Sequence, residues 1–309
     1  MAGPPVALMD SRQLRYFVKV VETGNLTRAA AALHVAQSAV SMHMRHLEND
    51  LGVQLLVRSR AGVVPTEQGR LLFEHARTIL RQFAQARQEV VSLGREPHGE
   101  VALGIPAPVG PVLVRPLLDH LRAQAPKVVP HIVEAMSGYL LEWLHSGRLD
   151  AAILFDVQPL SGLRRTVLGV ENMYLVGQAA AFGEGQVVPM AELPSYPLII
   201  PGRMHGMNML IRKAVNQQGI SPDIRVEVDS VAEILSLVKA GYGYTILAPM
   251  GFYRELQEGG ISVARVQDPP IQRTLISATA EARPLSQATE VLLDGAHAIL
   301  KAFTRRQSA

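Results

Sequence analysis

Polar side chains crowd one short stretch near the start of the chain. Residues Gln37 to His46 read QSAVSMHMRH, and they include Ser38 and Arg45. Glutamine can pair with adenine edges, serine with several bases, and arginine with guanine or phosphate. Each well-placed pair contributes about 1–3 kcal/mol of discrimination between bases. The stretch therefore carries hydrogen-bonding side chains that can face a partner outside the chain.

Two short helical patterns lie just before this stretch. Asp10 or Ser11 is predicted to cap a first helix, which ends at Gly24. Thr27 is predicted to cap a second helix that runs to Leu33. Small alanine side chains at the joint allow neighbouring helices to cross closely, as a helix-turn-helix requires.

The third helix is expected to begin near Gln37 and to end at Gly52. Its inward-facing apolar residues recur at helical spacing and are Val40, Met44, Leu47 and Leu51. The opposite face carries Ser38, Ser41, Met42, His43, Arg45 and His46. This pattern predicts a buried supporting side and an outward polar side on one helix.

A β-wing is predicted to follow. Residues 54–57 and 63–64 have the composition of two short strands around a turn at 59–62. The predicted wing carries Arg58 and Arg60.

Thr66 is predicted to start a long helix with a narrow apolar seam. The seam residues alternate at spacings of four and three, and they are Leu72, Ala76, Ile79, Phe83, Ala86, Val90 and Leu93. Such a seam favours a partner helix, most simply its own copy in a second chain. The alternative is that this helix packs on its own chain.

The stretch GREPHG at residues 94–99 has the composition of a linker. After it, strand-like runs such as VALGI, DAAILF and MYLVG alternate with helical runs near residues 112–121, 139–144, 209–217 and 231–239. This alternation predicts an α/β fold with two parallel, helix-covered sheets.

Charge and composition limit the classes of protein. Residues 1–95 contain 12 Lys and Arg against 7 Asp and Glu, although the net charge of the whole chain is only +3. A basic front indicates a partner that is a polyanion. There is no cysteine, no secretion signal and no long apolar run, so we expect a cytoplasmic protein without disulfides. His43 and His46 lack a third metal ligand nearby, and no catalytic residue or cofactor motif is expected.

The spaced residues from Leu14 to Gly69 resemble the DNA-binding module of the LysR-type transcriptional regulators. The matching positions are Phe17, Val21, Thr27, Ala29, Ala30, Leu33, Gln37, Ser38, Ala39, Ser41, Leu47, Glu48, Leu51, Gly52, Leu55, Arg58, Thr66 and Gly69. Two later stretches are similar to the effector domain of that family, namely EAMSGYLLEWLHSGRLDAAI and EVDSVAEILSLVKAGYGYTILAP. Within the family they resemble the nitrogen-assimilation-control branch.

The resemblance implies a winged helix-turn-helix at 9–66, a dimerisation helix at 67–94 and an effector domain at 95–309. The effector domain would comprise two Rossmann-like subdomains, one of residues 100–170 with 271–306 and one of 171–270, as in periplasmic binding proteins. The implied partners are double-stranded DNA, a second copy, a tetramer of copies, a small-molecule effector and RNA polymerase.

The resemblance also implies two sets of binding residues. Those for DNA are Thr27, Arg28, Gln37, Ser38, Ser41, Met42, His43, Arg45, Arg58 and Arg60. Those for an effector between the subdomains are Pro106, Ala107, Pro108, Val109, Ser137, Gly202, Arg203, His205, Asn208 and Ser230. For Ser137 and Ser230 the alternative is simple helix capping, and for Arg203 it is an ordinary surface charge.

Two departures from the family pattern leave alternatives open. Met42 stands where relatives often have arginine, which allows apolar contact with thymine methyl groups. Pro108 stands where many relatives have serine or threonine, and proline offers neither a hydroxyl nor an N–H group. Three alternatives follow: a neutral effector, an effector held by Arg203, His205 and Asn208, or regulation without an effector. The back half alone would also fit a solute-binding protein or an enzyme.

Overall fold

The computed structural model describes residues 9–59, 62–92, 96–155 and 160–308. The chain divides after residue 93 into two compact units, here called the front unit and the back unit. Among the helices of the described ranges, none is both long and apolar enough to cross a bilayer.

The front unit is a helix-turn-helix followed by a hairpin and a long helix. Its elements are α1 (Ser11–Thr23), α2 (Leu26–Leu33), α3 (Gln37–Leu51), β1 (Leu56–Ser59), β2 (Gly62–Pro65) and α4 (Glu67–Ser92). Strands β1 and β2 pair antiparallel and form the predicted wing. The strands lie one or two residues away from the predicted positions, and Arg60 falls outside the described residues.

The first two helices are capped by side chains of the preceding residues. Asp10 caps α1, because its carboxylate accepts the N–H of Gln13 at 2.7 Å and the Gln13 side chain accepts the Asp10 N–H. The prediction that Thr27 caps α2 is wrong. Asn25 caps that helix, because it stands in extended backbone directly after Gly24 and its Oδ1 accepts the N–H groups of the first turn.

Helix α3 buries one side in the core of the front unit. Val40, Met44 and Leu47 are buried there, as predicted. Leu51 does not join them, and 42% of its surface is exposed. It is the last residue of the helix, and Gly52 in the left-handed conformation turns the chain away immediately after it.

The predicted apolar seam of α4 is packed against the core in its first half and exposed in its second half. Ala76 is fully buried in the core of the front unit, and Leu72 and Ile79 pack against the same core. These three residues therefore follow the alternative in which the helix packs on its own chain. Phe83 and Val90 in the second half are 59% and 79% exposed. Ala86 is also exposed, and Leu93 lies outside the described residues.

The back unit is an α/β structure with more elements than the sequence predicted. Its strands are β3 (His98–Ile105), β4 (Lys127–Glu134), β5 (Ala151–Phe155), β6 (Leu163–Asn172), β7 (Tyr174–Gln178), β8 (Val187–Pro189), β9 (Leu198–Ile200), β10 (Ile224–Glu227), β11 (Thr245–Leu247), β12 (Ile261–Gln267) and β13 (Gln272–Ala280). Its helices are α5 (Gly110–Gln124), α6 (Ser137–His145), α7 (Gly206–Gln217), α8 (Val231–Lys239), α9 (Pro249–Glu258) and α10 (Gln287–Ser308). Sequence analysis missed β6, β8, β12, β13, α9 and α10.

The α/β class is confirmed, but the expectation of parallel sheets is wrong. A five-stranded sheet has the order β4-β3-β5-β13-β6, and a four-stranded sheet has the order β11-β7-β12-β8. In the first sheet β3 is parallel to β4 and β5, whereas β13 is antiparallel to β5 and β6. The chain leaves this sheet along β6 and returns along β13, so these two strands run in opposite directions.

Helix α9 connects the two sheets of the back unit. It follows β11 of the four-stranded sheet, yet its Met250 is buried in the core that covers the five-stranded sheet. Tyr253 of the same helix contacts Phe303 of α10 edge to face, with 5.4 Å between the ring centroids. The shorter pair β9 and β10 is parallel.

Candidate nucleic-acid interface and ligand site

The face of α3 opposite its buried side carries the polar residues that the sequence singled out. Gln37, Ser38, Arg45 and His46 are exposed, and Met42 is 44% exposed. No N-terminal side chain caps this helix, because its N-cap position is occupied by an alanine. The first turn of α3 can therefore offer both side chains and backbone N–H groups to an acceptor.

His43 and Ser41 lie closer to the protein than their neighbours on the same face. The His43 ring contacts Tyr16 of α1 edge to face, with 5.0 Å between centroids. Ser41 is half-buried, and its Oγ accepts a hydrogen bond from Nη1 of Arg58 at 3.1 Å. The wing and α3 are therefore joined by a hydrogen bond between side chains.

Thr27 and Arg28 are exposed in the first turn of α2, but their groups already have partners. The N–H groups of both residues donate to Oδ1 of Asn25, at 2.8 and 3.1 Å. The Arg28 guanidinium donates to the carbonyl oxygen of Thr23 at 2.6 Å. This turn can still bind a phosphate through the Thr27 hydroxyl and the remaining Arg28 N–H groups.

In the back unit, the turn after β3 contains three of the predicted effector residues. Ala107, Pro108 and Val109 form a single 3-10 turn that leads directly into α5, and the Val109 N–H donates to the carbonyl oxygen of Pro106 at 2.9 Å. Pro106 and Val109 are buried, whereas Ala107 is exposed and Pro108 is half-exposed. This turn offers mainly apolar surface and carbonyl groups.

The two serines predicted at helix starts have different roles. Ser230 caps α8, because its Oγ accepts the N–H of Glu233 at 3.3 Å, which is the simple capping alternative. Ser137 is the first residue of α6 and does not cap it; Met136 occupies the cap position without a side-chain hydrogen bond. The N-terminal N–H groups of α6 are thus available to a ligand.

Hydrogen bonds to residues on both sides fix the loop from Gly202 to Asn208 in place. The Gly202 N–H donates to Asp229 at 2.9 Å. Asn208 is fully buried; its Nδ2 donates to the Pro201 carbonyl oxygen, and its Oδ1 accepts from Arg212. The Asn208 amide is therefore already engaged by hydrogen bonds inside the protein.

Arg203 and His205 in the same loop face different surroundings. The Arg203 side chain is 79% exposed and lies 4.0 Å from Glu227, which fits the surface-charge alternative. His205 is half-buried and caps α7, because its Nδ1 accepts the N–H of Met207 at 3.1 Å. A neutral imidazole that accepts through Nδ1 carries its proton on Nε2, so His205 can present a single N–H donor.

Burial lowers the pKa of His205 below its ordinary value of 6.5, although Asp229 opposes this shift and Arg273 adds to it. Near neutral pH His205 is therefore a neutral hydrogen-bond donor.

A buried ion pair at the start of β13 was not recognised in the sequence. Glu171 of β6 and Arg273 of β13 are register partners, and their side chains lie 2.8 Å apart. The Arg273 guanidinium lies over the ring of Phe155, 3.6 Å from its centroid. The Glu171 carboxylate also accepts the N–H of Met250 at the start of α9, at 3.4 Å. The sequence gives no clear signal for this pair, because β6 also contains Arg164 and Arg165, and nothing local marks Glu171 as the residue that becomes buried.

Within the described residues, no cluster of three or more His, Asp or Glu side chains has the spacing of a metal site.

Two family models match the chain. Residues 11–70 match the bacterial regulatory helix-turn-helix protein, lysR family. Residues 94–300 match the LysR substrate binding domain. The two matches together cover most of the 309 residues.

Relatives of known name extend over nearly the whole chain. The nitrogen assimilation regulatory protein nac of Klebsiella aerogenes is 33% identical over 290 residues, which are 92% of this chain and 94% of that protein. The DNA-binding transcriptional dual regulator OxyR of Escherichia coli K12 is 29% identical over 291 residues, which are 94% and 95% of the two chains.

Solved structures show the same architecture. A full-length OxyR variant from Pseudomonas aeruginosa superposes with a TM-score of 0.73 at 26% identity and covers 94% of this chain and 98% of that one. Full-length CbnR complexed with its target DNA has a TM-score of 0.68 at 22% identity and covers 94% of this chain and 100% of that one.

Proposed function

The chain belongs to the LysR family of DNA-binding transcription regulators, and on that premise we propose that α3 and the wing form its DNA-binding surface. The observation that carries this proposal is the exposed face of α3, with Gln37, Ser38, Met42 and Arg45 turned away from the core. A helix of this kind fits the major groove, where these side chains meet base edges. The wing places Arg58 where it can contact the backbone.

Each of these residues is proposed for a different contact. Gln37 and Arg45 can read adenine and guanine edges, and Met42 can contact a thymine methyl group. Thr27 and Arg28 are proposed to contact phosphate, because both are exposed at the start of α2. His43 packs against Tyr16, so we assign it to the support of the helix. Arg60 is proposed from the sequence alone.

Two copies are proposed to meet along the second half of α4. Phe83, Ala86 and Val90 are exposed apolar residues at seam spacing on one helix, so they share one side of it, and an apolar patch of this kind can mark a contact surface. The first half of the seam packs within the front unit and would hold the paired helices to their DNA-binding domains. A dimer would present two copies of α3 to a site with dyad symmetry.

The domain boundaries proposed from the sequence remain 9–66, 67–94 and 95–309. The two subdomains of the last segment are proposed at 100–170 with 271–306 and at 171–270, because β6 and β13 are the strands by which the chain passes between the two sheets.

A small effector is proposed to bind the back unit between these subdomains. Its site would be formed by the turn 106–109, the uncapped start of α6 at Ser137, and the loop with Gly202, Arg203 and His205. His205 and the N–H groups of α6 would donate hydrogen bonds, so the effector would carry an acceptor such as a carbonyl or carboxylate group. The chain has no cysteine, so a thiol cannot serve as its signal sensor.

Regulation without an effector is the second candidate. It is favoured by Pro108, which adds no donor to the turn, and by Asn208, whose amide is fully engaged inside the protein. A thermal-shift panel of small metabolites against the full chain separates the two candidates. A compound that raises the melting temperature and also changes DNA affinity would exclude regulation without an effector.

The DNA-binding function is tested by selecting duplexes from a random-sequence pool with the full chain. We expect enrichment of a site with dyad symmetry, bound with an affinity that falls steeply as salt is raised, because the contacts release counterions from phosphates. Failure to enrich any sequence, or an affinity indifferent to salt, would contradict the proposal.

A further inference from the structure

The wing is attached to α3 at two positions on one side of that helix. Oε1 of Glu48 accepts the N–H groups of Leu55 and Leu56 at 2.9 and 3.0 Å. Oγ of Ser41 accepts from Nη1 of Arg58 at 3.1 Å. Ser41 and Glu48 are seven residues apart, which places them on the same side of the helix, two turns from each other. Strand β1 therefore runs back along α3 toward the start of that helix.

The backbone of the wing is fixed independently of Ser41. The Val63 N–H donates to the carbonyl oxygen of Gly24 at 2.8 Å. Gly62 comes so close to that same oxygen that a Cβ atom there would lie 2.6 Å from it. With the Glu48 contacts, these bonds hold the hairpin on both of its strands. The Ser41 hydrogen bond adds only the orientation of the exposed Arg58 side chain.

Ser41 and Arg58 both keep hydrogen-bond donors that can contact DNA. In this bond the Ser41 oxygen acts as the acceptor, so its own hydroxyl proton stays available. Arg58 uses one of its five N–H groups and keeps the others in a fixed planar arrangement. An arginine held in one orientation loses less side-chain entropy when it binds phosphate than a freely rotating one.

We propose that Ser41 is a positioning residue for Arg58, which it orients toward the DNA backbone, and that it does not itself read a base. The proposal rests on the DNA-binding surface proposed above and refines it. It divides the residues of the α3 face into two groups. One group distinguishes DNA sequences and comprises Gln37, Ser38, Met42 and Arg45. Ser41 instead strengthens binding to every duplex equally, through Arg58. Sequence analysis had placed Ser41 among the base readers.

The test is a double-mutant cycle in the full-length protein. Affinities of Ser41→Ala, Arg58→Ala and the double variant are measured by fluorescence anisotropy on the selected duplex and on a scrambled duplex of equal length. We expect Ser41→Ala to weaken binding about three- to tenfold on both duplexes, as for the loss of one hydrogen bond. The double variant should bind no more weakly than Arg58→Ala alone.

Two further variants make the result specific. Ser41→Thr keeps the hydroxyl acceptor and should restore most of the affinity that Ser41→Ala loses. Ser38→Ala removes an exposed serine from the same helix and should weaken binding to the selected duplex only. Arg58→Ala should also lower the slope of log affinity against log salt by about one, the value for one lost phosphate contact, and Ser41→Ala should lower it in the same direction.

The outcomes separate this proposal from the proposed function. If Ser41→Ala weakens binding to the selected duplex alone, and its effect adds to that of Arg58→Ala, then Ser41 reads a base and the positioning role is wrong. The role is also wrong if Ser41→Ala changes nothing while Gln37→Ala reduces affinity. If neither the Gln37 nor the Arg58 variant alters binding to any duplex, the DNA-binding surface itself has been misplaced.

Discussion

Two arginines, one in each unit, contact oxygen atoms in opposite environments. Arg58 in the wing is exposed and donates to the Ser41 hydroxyl at 3.1 Å. Arg273 in the back unit is only 6% exposed and lies 2.8 Å from the Glu171 carboxylate. An exposed pair contributes little to the stability of a fold, whereas removing one partner of a buried pair is strongly destabilising. The front unit thus keeps Arg58 available to a partner, whereas the back unit uses Arg273 internally.

The position of the buried pair gives it a structural consequence beyond its own two strands. It joins the strands by which the chain leaves and re-enters the five-stranded sheet, and it binds the first turn of α9 through the Met250 N–H. Burial lowers the pKa of Arg273, and the neighbouring Glu171 opposes that shift. The carboxylate offsets the loss of hydration, so the pair depends on both partners being present.

The largest expected effect follows from breaking this pair. Arg273→Met should lower the free energy of unfolding of the back unit by about 3–5 kcal/mol, because it leaves the Glu171 carboxylate buried without a partner. Urea unfolding can be followed by the fluorescence of Trp143, the single tryptophan, which lies on α6 of the back unit. The double variant Arg273→Met, Glu171→Leu should recover most of the loss.

The matched control is an exposed pair in the same unit. Arg225 lies 2.7 Å from Asp223 on the surface, so Arg225→Met should leave the urea midpoint almost unchanged. If the urea midpoint of Arg273→Met is as close to the wild-type value as that of Arg225→Met, then burial does not make the Arg273 pair more important for stability than the Arg225 pair.

The second effect concerns the exposed apolar residues of the front unit. Phe83→Asp combined with Val90→Asp should weaken self-association at least about 30-fold, as expected for the loss of an apolar contact of about 2 kcal/mol. Sedimentation velocity over a concentration series measures it. Leu71→Asp is the control, because Leu71 is 64% exposed on the same helix but lies off the seam. Equal weakening by both changes would argue against the proposed dimer contact.

The smallest effect concerns His205, whose half-buried position lies between the two extremes. His205→Ala should cost about 1 kcal/mol, because α7 loses its cap, whereas His205→Asn should keep the cap. The folded-state pKa of His205 is lowered, so its stabilising contribution is present above pH 6.5 and is lost as the pH falls through that lowered value.

The pH dependence is measured by thermal unfolding of wild type and His205→Asn at pH 7.5 and pH 5. The asparagine variant should lose less stability on acidification, since its side chain does not titrate. The neutral-pH difference between the two proteins should be small. Parallel losses in both proteins would show that the acid sensitivity arises elsewhere, for instance at His297, whose pKa burial also lowers.

The front unit was easier to predict than the back unit for a physical reason. Helix α3 begins at Gln37 and ends before Gly52 as the sequence indicates, since the apolar spacing and the glycine at its C-terminus are local signals. The cap of α2 was misassigned because Asn25 and Thr27 are both suitable residues, and only the backbone turn at Gly24 decides between them. Leu51 has the correct spacing but no neighbour to cover it.

The back unit contains features that depend on contacts distant in sequence. Strands β6 and β13 carry charged residues in their interiors, so neither reads as an apolar strand. The Glu171 and Arg273 side chains become compatible with burial only when these strands pair, about a hundred residues apart in the chain. Ser230 and Ser137 look equivalent in the sequence, and only the structure shows that Ser230 caps its helix and Ser137 does not.

The central claim is that the exposed face of α3 reads base pairs, and a panel of single-base-pair variants of the selected duplex tests it most directly. Wild-type protein should lose about 1–3 kcal/mol at each contacted pair. Gln37→Ala should lose its discrimination at one pair and keep the rest of the profile. A Gln37→Ala profile with the same relative preferences as wild type at every pair, only weaker throughout, would contradict the claim.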